Sequence, residues 1–185
     1  IILTTKPAGE AGKYVYVLTR ELGLISAKAQ GLRLLNSKLR YSLQDFSLTE
    51  VSLVRGKEVW RLTGAKLIKE NNLIKKYPDN FLVLFRLSRL LLRLLHGEEK
   101  NEKLYDLFYQ TQTFLYQSFT PVELKTLEIV AVLRILRCLG YFGEEKTLER
   151  FAEDNSWNKE ILNNFLSEQA RALVLINNAL KETQL

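Results

Sequence analysis

Seven cations on one stretch of the chain have types and spacing that point to chemistry: Lys28, Arg33, Lys38, Arg40, Arg55, Lys57 and Arg61. Guanidinium and ammonium groups spread over neighbouring segments neutralise the backbone of a polyanion, and the aromatic faces of Tyr41 and Trp60 among them are of the kind on which unpaired bases stack. For Trp60 the plainer role is a place in a hydrophobic core. Residues that would make or break bonds are scarce. His96, the single histidine, stands beside Gly97, where an imidazole commonly satisfies the last carbonyls of a helix; a catalytic role would need a partner group. Cys138, the single cysteine, lies between Leu136 and Leu139 and reads as a small buried hydrophobe. One cysteine and one histidine exclude an internal disulfide and the usual four-ligand zinc shell, so no metal and no cofactor is expected. There is no phosphate-binding glycine loop, nucleophile elbow or paired metal-ligand motif, and the carboxylates are scattered over helix surfaces. An enzyme is not expected.

A second set of arginines is periodic. Arg86, Arg89 and Arg93 recur at i, i+3 and i+7 on one very apolar segment, and Arg134 and Arg137 at i and i+3 on another. Their stems either cover leucines while the guanidinium groups reach water or helix carboxylates, or they frame an apolar socket for an acidic peptide that ends in an aromatic residue.

The elements that position these residues follow from hydrophobic periodicity. Over the first 70 residues the period is two, and five strands are expected: Ile1 to Thr5, Tyr14 to Leu18, Leu24 to Gln30, Phe46 to Val54 and Val59 to Ile68. Ile25, Ala27 and Ala29 form one face of the third strand; Ser26, Lys28 and Gln30 form the other, which should meet solvent or ligand. Arg55-Gly56-Lys57 joins the last two strands with the glycine that a tight hairpin favours. Five short strands without room for crossover helices predict a closed or nearly closed barrel, of which the OB-fold is the nucleic-acid-binding example. The long connection 31–44 is a functional loop by its length and carries Arg33, Lys38, Arg40 and Tyr41.

After Glu70 the period changes to about 3.6. Helices are expected from Pro78 to Gly97, from about Asn101 to Ser118, from Pro121 to Gly140, over Thr147 to Phe151, and from Trp157 towards Lys181. Thr120-Pro121-Val122-Glu123 is a capping box. The expected organisation is α+β: a barrel domain over 1–70 and an all-α helical bundle over 71–185. Charge divides at the same place. Residues 1–70 hold 12 Lys/Arg and 6 Asp/Glu, and 71–185 hold 15 of each, so the whole net charge of +6 lies in the first part. A localised positive field attracts polyanions, or serves only solubility. A composition of 46% hydrophobic and 26% charged residues is that of a globular protein. Arg86, Arg89 and Arg93 interrupt the apolar run Phe81 to Leu95, which is too short for a membrane span. No leader is read at the amino terminus, although Ile1 is not an initiator. The single thiol suits a reducing, cytoplasmic compartment.

Three segments, "LTRELGLISAKAQGLR" (Leu18 to Arg33), "SKLRYSLQDFSLTE" (Ser37 to Glu50) and "VWRLTGAKLIKE" (Val59 to Glu70), resemble in order and spacing the amino-terminal domain of the DNA repair protein RecO family. "LRILRCLGYF" (Leu133 to Phe142) is similar to the helix that ends that family's "LRLLRxLGY" segment, and "LKETQL" (Leu180 to Leu185) to its carboxyl end. The resemblance implies an OB-fold and a helical domain that bind single- and double-stranded DNA, anneal complementary strands, and act with RecR and the C-terminal tail of single-stranded-DNA-binding protein to load a recombinase, with no membrane partner and a nucleoid-associated place in the cytoplasm. Many members carry a four-cysteine zinc module after "LGY". Here the corresponding stretch has no cysteine, and the chain reads as a zinc-less, shortened member. Two other readings remain: a protein-interaction adaptor, and an RNA-binding OB-fold protein.

Overall fold

A computed structural model of the chain describes residues 1–10, 12–30, 39–141, 145–154 and 156–182. The chain divides into two compact units, Ile1–Asn72 with Leu95–Glu102, and Leu73–Leu94 with Lys103–Leu185.

The first unit is built on strands β1 (Ile2–Ala8), β2 (Gly12–Thr19), β3 (Gly23–Ala29), β4 (Leu48–Arg55) and β5 (Trp60–Lys69), in the order β1-β2-β3-β5-β4. Only β3 and β5 run parallel, through Ala27↔Trp60 and Lys28↔Arg61. Alternation sets the two faces. Val15 and Val17 of β2 and Ile25, Ala27 and Ala29 of β3 are buried with Ile2 and Leu62, whereas Tyr14, Tyr16, Ser26 and Lys28 face outward. A short helix, α1 (Leu39–Ser42), precedes β4. Gly56 sits in the β4–β5 hairpin, where a β-carbon would come within 2.6 Å of the Val59 carbonyl oxygen. This arrangement is the partly open five-stranded barrel of the OB-fold.

The sheet is not closed. β1 is hydrogen-bonded to the residues just before β4: the Ile2 amide donates to the Ser47 carbonyl at 3.1 Å and the Phe46 amide donates to the Ile2 carbonyl at 2.6 Å. Phe46 takes a left-handed conformation (φ 63) there, just before β4 begins, and β1 and β4 remain the two edges of the sheet. Its ring is fully buried, and Ser47 and Thr49 both hydrogen-bond the Ser42 carbonyl.

The second unit contains α2 (Leu73–Lys76), α3 (Pro78–Leu94), α4 (Glu102–Phe114, whose first residue falls in the first unit), α5 (Pro121–Cys138), α6 (Lys146–Glu153), α7 (Lys159–Phe165) and α8 (Gln169–Glu182). Helix α5 is the centre and packs against α3, α6, α7 and α8. Its amino terminus carries both halves of the capping box, Thr120 Oγ1 accepting from the Glu123 amide and the Glu123 carboxylate accepting from the Thr120 amide. Helix α3 buries Leu84, Leu87, Leu91 and Leu94 on one side and turns Arg86, Arg89 and Arg93 outward. It ends at Leu94, before His96. The single helix expected from Trp157 to Lys181 is two helices, α7 and α8, joined by one 3-10 turn, Leu166–Glu168, which holds no glycine or proline to announce it. No helix of the described residues is long and apolar enough to cross a membrane.

Candidate nucleic-acid interface

Strand register brings together residues far apart in sequence. On the outward face Lys6 stands opposite Tyr14, Tyr14 opposite Lys28, Lys28 opposite Arg61, and Arg61 opposite Val54. The row therefore crosses all five strands, a width of ~19 Å at the usual strand spacing. Tyr16 lies beside it, with Lys6 Nζ 5.1 Å from the ring centre. Like charges placed directly opposite on a sheet destabilise it, so the adjacent Lys28 and Arg61 pull against the fold. Such a pair has its use when a polyanion crosses both groups.

Lys28 and Arg61 were expected at the interface from sequence; Lys6, Tyr14 and Tyr16 were not. The expected first strand stopped at Thr5, one residue short of Lys6. The available signal was the alternation of Tyr14 and Tyr16 with Val15 and Val17, which puts the two rings on the face of Ser26 and Lys28.

The other expected cations are placed differently. Arg55 and Lys57 lie at the hairpin between β4 and β5, and both are exposed. Arg55 is ion-paired with Glu98 at 2.7 Å, and Trp60 packs at the margin of the core while its indole Nε1 donates to the other oxygen of that carboxylate at 2.7 Å. The indole hydrogen bond foremost, with the Arg55 guanidinium, holds the Glu98 carboxyl below its ordinary pKa. Arg40 is exposed on α1, where Tyr41 donates to Glu70 at 3.3 Å. Arg33 and Lys38 lie outside the described residues.

The helical arginines also separate. Arg134 is 1% exposed. Its Nε donates to the Phe151 carbonyl at 2.7 Å and its Nη1 to the Ser156 carbonyl at 2.8 Å, while the guanidinium lies 4.4 Å from the Trp157 ring centre. Phe151 is in the last turn of α6, whose carbonyls lack partners within the helix, so Arg134 caps that end from inside. Burial pulls its pKa down to about 10. Arg137 is half-buried and pairs with Glu153 at 3.1 Å. A cavity of about 460 Å³ is lined by Arg134, Arg137, Cys138, Lys103, Ala152 and Glu153. Arg86 makes a two-pronged pair with Glu128, whereas Arg89 and Arg93 are exposed on α3 beyond it. His96 is exposed, Cys138 is half-buried, and no cluster of metal-ligating side chains occurs among the described residues.

The sequence has relatives among known proteins. Residues 1–71 match the family model described as recombination protein O N terminal. The chain is similar to proteins named DNA repair protein RecO: 29% identical to that of Gloeothece citriformis, over 76% of this chain and 50% of that protein. For Dehalococcoides mccartyi strain 195 the identity is 32% over 68% of this chain and 49% of the relative. For Clostridium novyi it is 27%, over 79% and 57%. The chain thus spans about half the length of the curated relatives it matches.

Proposed function

The chain belongs to the RecO family of DNA repair proteins, and we propose that it serves repair and recombination as a non-catalytic binder of single- and double-stranded DNA, held across the outward face of the first unit's sheet. The observation that carries this reading is the cross-strand row Lys6, Tyr14, Lys28 and Arg61, two cations of which stand side by side. Cations that hold a backbone from one side leave base edges free, so two strands neutralised together can pair; annealing is the activity this surface suits. Binding should release counterions and weaken steeply with salt. Replacing Lys28 and Arg61 together by alanine is expected to lower single-stranded DNA affinity about tenfold or more and to reduce the slope of log affinity against log salt by about 1.4, two contacts of about 0.7 each. Unchanged affinity and slope would remove the row from the interface.

Partner contacts with RecR and with the acidic, aromatic-ended tail of single-stranded-DNA-binding protein belong to the same reading. Arg89 and Arg93, outward on α3 beside the exposed Leu82 and Phe85, support a peptide contact better than Arg134, which is buried and gives its Nε and Nη1 to backbone carbonyls. Titration of a fluorescent tail peptide into wild type, Arg89→Ala/Arg93→Ala and Arg137→Ala separates the two surfaces: the α3 variant should bind more weakly, and equal binding by all three would clear both.

A further inference from the structure

The segment Leu95–Glu102 carries the carboxylates Glu98, Glu99 and Glu102 and belongs to the first unit, although by sequence it falls between two helices. It is seated closely. A β-carbon on Gly23, which has φ 72, would collide with the Glu99 carbonyl oxygen, and Arg20 reaches Glu102 at 3.8 Å. Within this segment the Glu98 carboxylate is held at both oxygens: Oε1 accepts from the Trp60 indole at 2.7 Å and Oε2 accepts from Arg55 Nη1 at 2.7 Å. The Arg55 guanidinium also lies 5.1 Å from the Trp60 ring centre, so cation and indole share one spot at the end of the β4–β5 hairpin.

A guanidinium and an indole N–H converging on a two-oxygen anion match a phosphodiester as well as a carboxylate, because both present a pair of charged oxygens. The spot and the basic row lie on opposite faces of the sheet: Trp60 stands opposite the core-facing Ala27, and the outward pair Lys28 and Arg61 are the next residues along both strands. A strand lying on the row reaches the spot round the β4–β5 hairpin, where the Arg55 side chain is exposed. The Arg55 side chain is 67% exposed, so a carboxylate there is held by a solvated pair of small net worth and can be exchanged.

We propose that Glu98 occupies in cis a phosphate seat formed by Arg55 and the Trp60 indole N–H, and that a bound nucleic-acid strand takes the seat by displacing the carboxylate. This rests on the reading that the first unit binds nucleic acid, and it gives that surface a built-in competitor. The Glu98 segment tempers binding of any strand too weakly held to displace it.

The test compares wild type, Glu98→Gln, Arg55→Ala and the double variant for binding of fluorescent oligo-dT across a salt series. Glutamine keeps an oxygen for the indole but loses the charge that pairs with Arg55. Glu98→Gln is expected to bind about three- to fivefold more tightly at low salt, with a slope steeper by about 0.7 for one added phosphate contact. Both gains should vanish when Arg55→Ala is added. An unchanged Glu98→Gln, or a gain that persists without Arg55, would overturn the proposal while leaving nucleic-acid binding standing; failure of every form to bind would overturn both. Wild type supplies an independent readout, the Trp60 indole N–H resonance, assigned with Trp60→Phe. It should shift on titration with oligo-dT as carboxylate gives way to phosphate, and a resonance unmoved at saturation would contradict the exchange.

Discussion

Arg134 illustrates how one residue's type leaves its role open. Placed at i, i+3 with Arg137 on an apolar helix, it has the sequence signature of a surface cation, yet it is buried, caps α6 through the Phe151 carbonyl and covers the Trp157 ring. Arg134→Ala is expected to destabilise the second unit by about 3 kcal/mol, the worth of charge-assisted hydrogen bonds together with a desolvated cation–aromatic contact. Arg134→Lys should recover only part of this, since one ammonium cannot serve two divergent carbonyls over a flat ring. Urea unfolding measures it, and a change below about 0.5 kcal/mol, the scale of a surface substitution, would show that the guanidinium is dispensable. Asp45 gives a pH-dependent case. Burial foremost pushes its carboxyl above the ordinary value, against the pull of Lys13. The folded state therefore binds this proton more tightly than the unfolded state, so the stability from this group is fully present below the unfolded pKa and is lost as pH rises through the folded one. Asp45→Asn should raise the melting temperature at neutral pH, with the gain disappearing near pH ~3. A gain of equal size at both pH values would contradict that cause.

At the scale of elements, what a local pattern can carry was legible and what pairing decides was not. Alternation located all five strands, and Thr120 with Glu123 located the start of α5, because each signal sits within a few residues of the element it sets. The outward face of β3 was also legible, from Ser26 and Lys28 against Ile25 and Ala27. The degree of barrel closure was not: it depends on whether two distant edges pair, and β1 and β4 remain edges of the sheet, β1 bonding instead to Phe46 and Ser47 ahead of β4. The 3-10 turn at Leu166–Glu168 escaped notice because it holds no glycine or proline, and its backbone stays in the right-handed helical region at either end. The Lys6-to-Arg61 row was invisible because register joins positions 55 residues apart. This row predicts a trade between fold and function. Lys28→Ala/Arg61→Ala, which weakens DNA binding, should leave the first unit equally or more stable because it relieves an opposed pair of like charges. A clearly lowered melting temperature would show that the pair serves packing instead.

For the whole molecule, charge separates the units less sharply than the cut after Glu70 suggests. With Leu95–Glu102 returned to it, the first unit holds 13 Lys/Arg and 9 Asp/Glu, a net +4, and the second holds 14 and 12, a net +2. The outward row concentrates cations on one face of the first unit while the Glu98 segment places anions at its rim, so local arrangement says more about where a strand would lie than net charge does. The most direct test of the central claim is to map the contact on the full chain by NMR, titrating an oligo-dT at low salt and following amide and side-chain resonances. The account predicts saturable shifts centred on Lys6, Tyr14, Tyr16, Lys28 and Arg61, shrinking together as salt is raised. Shifts confined to the second unit, or none on this row at saturating oligonucleotide, would contradict it.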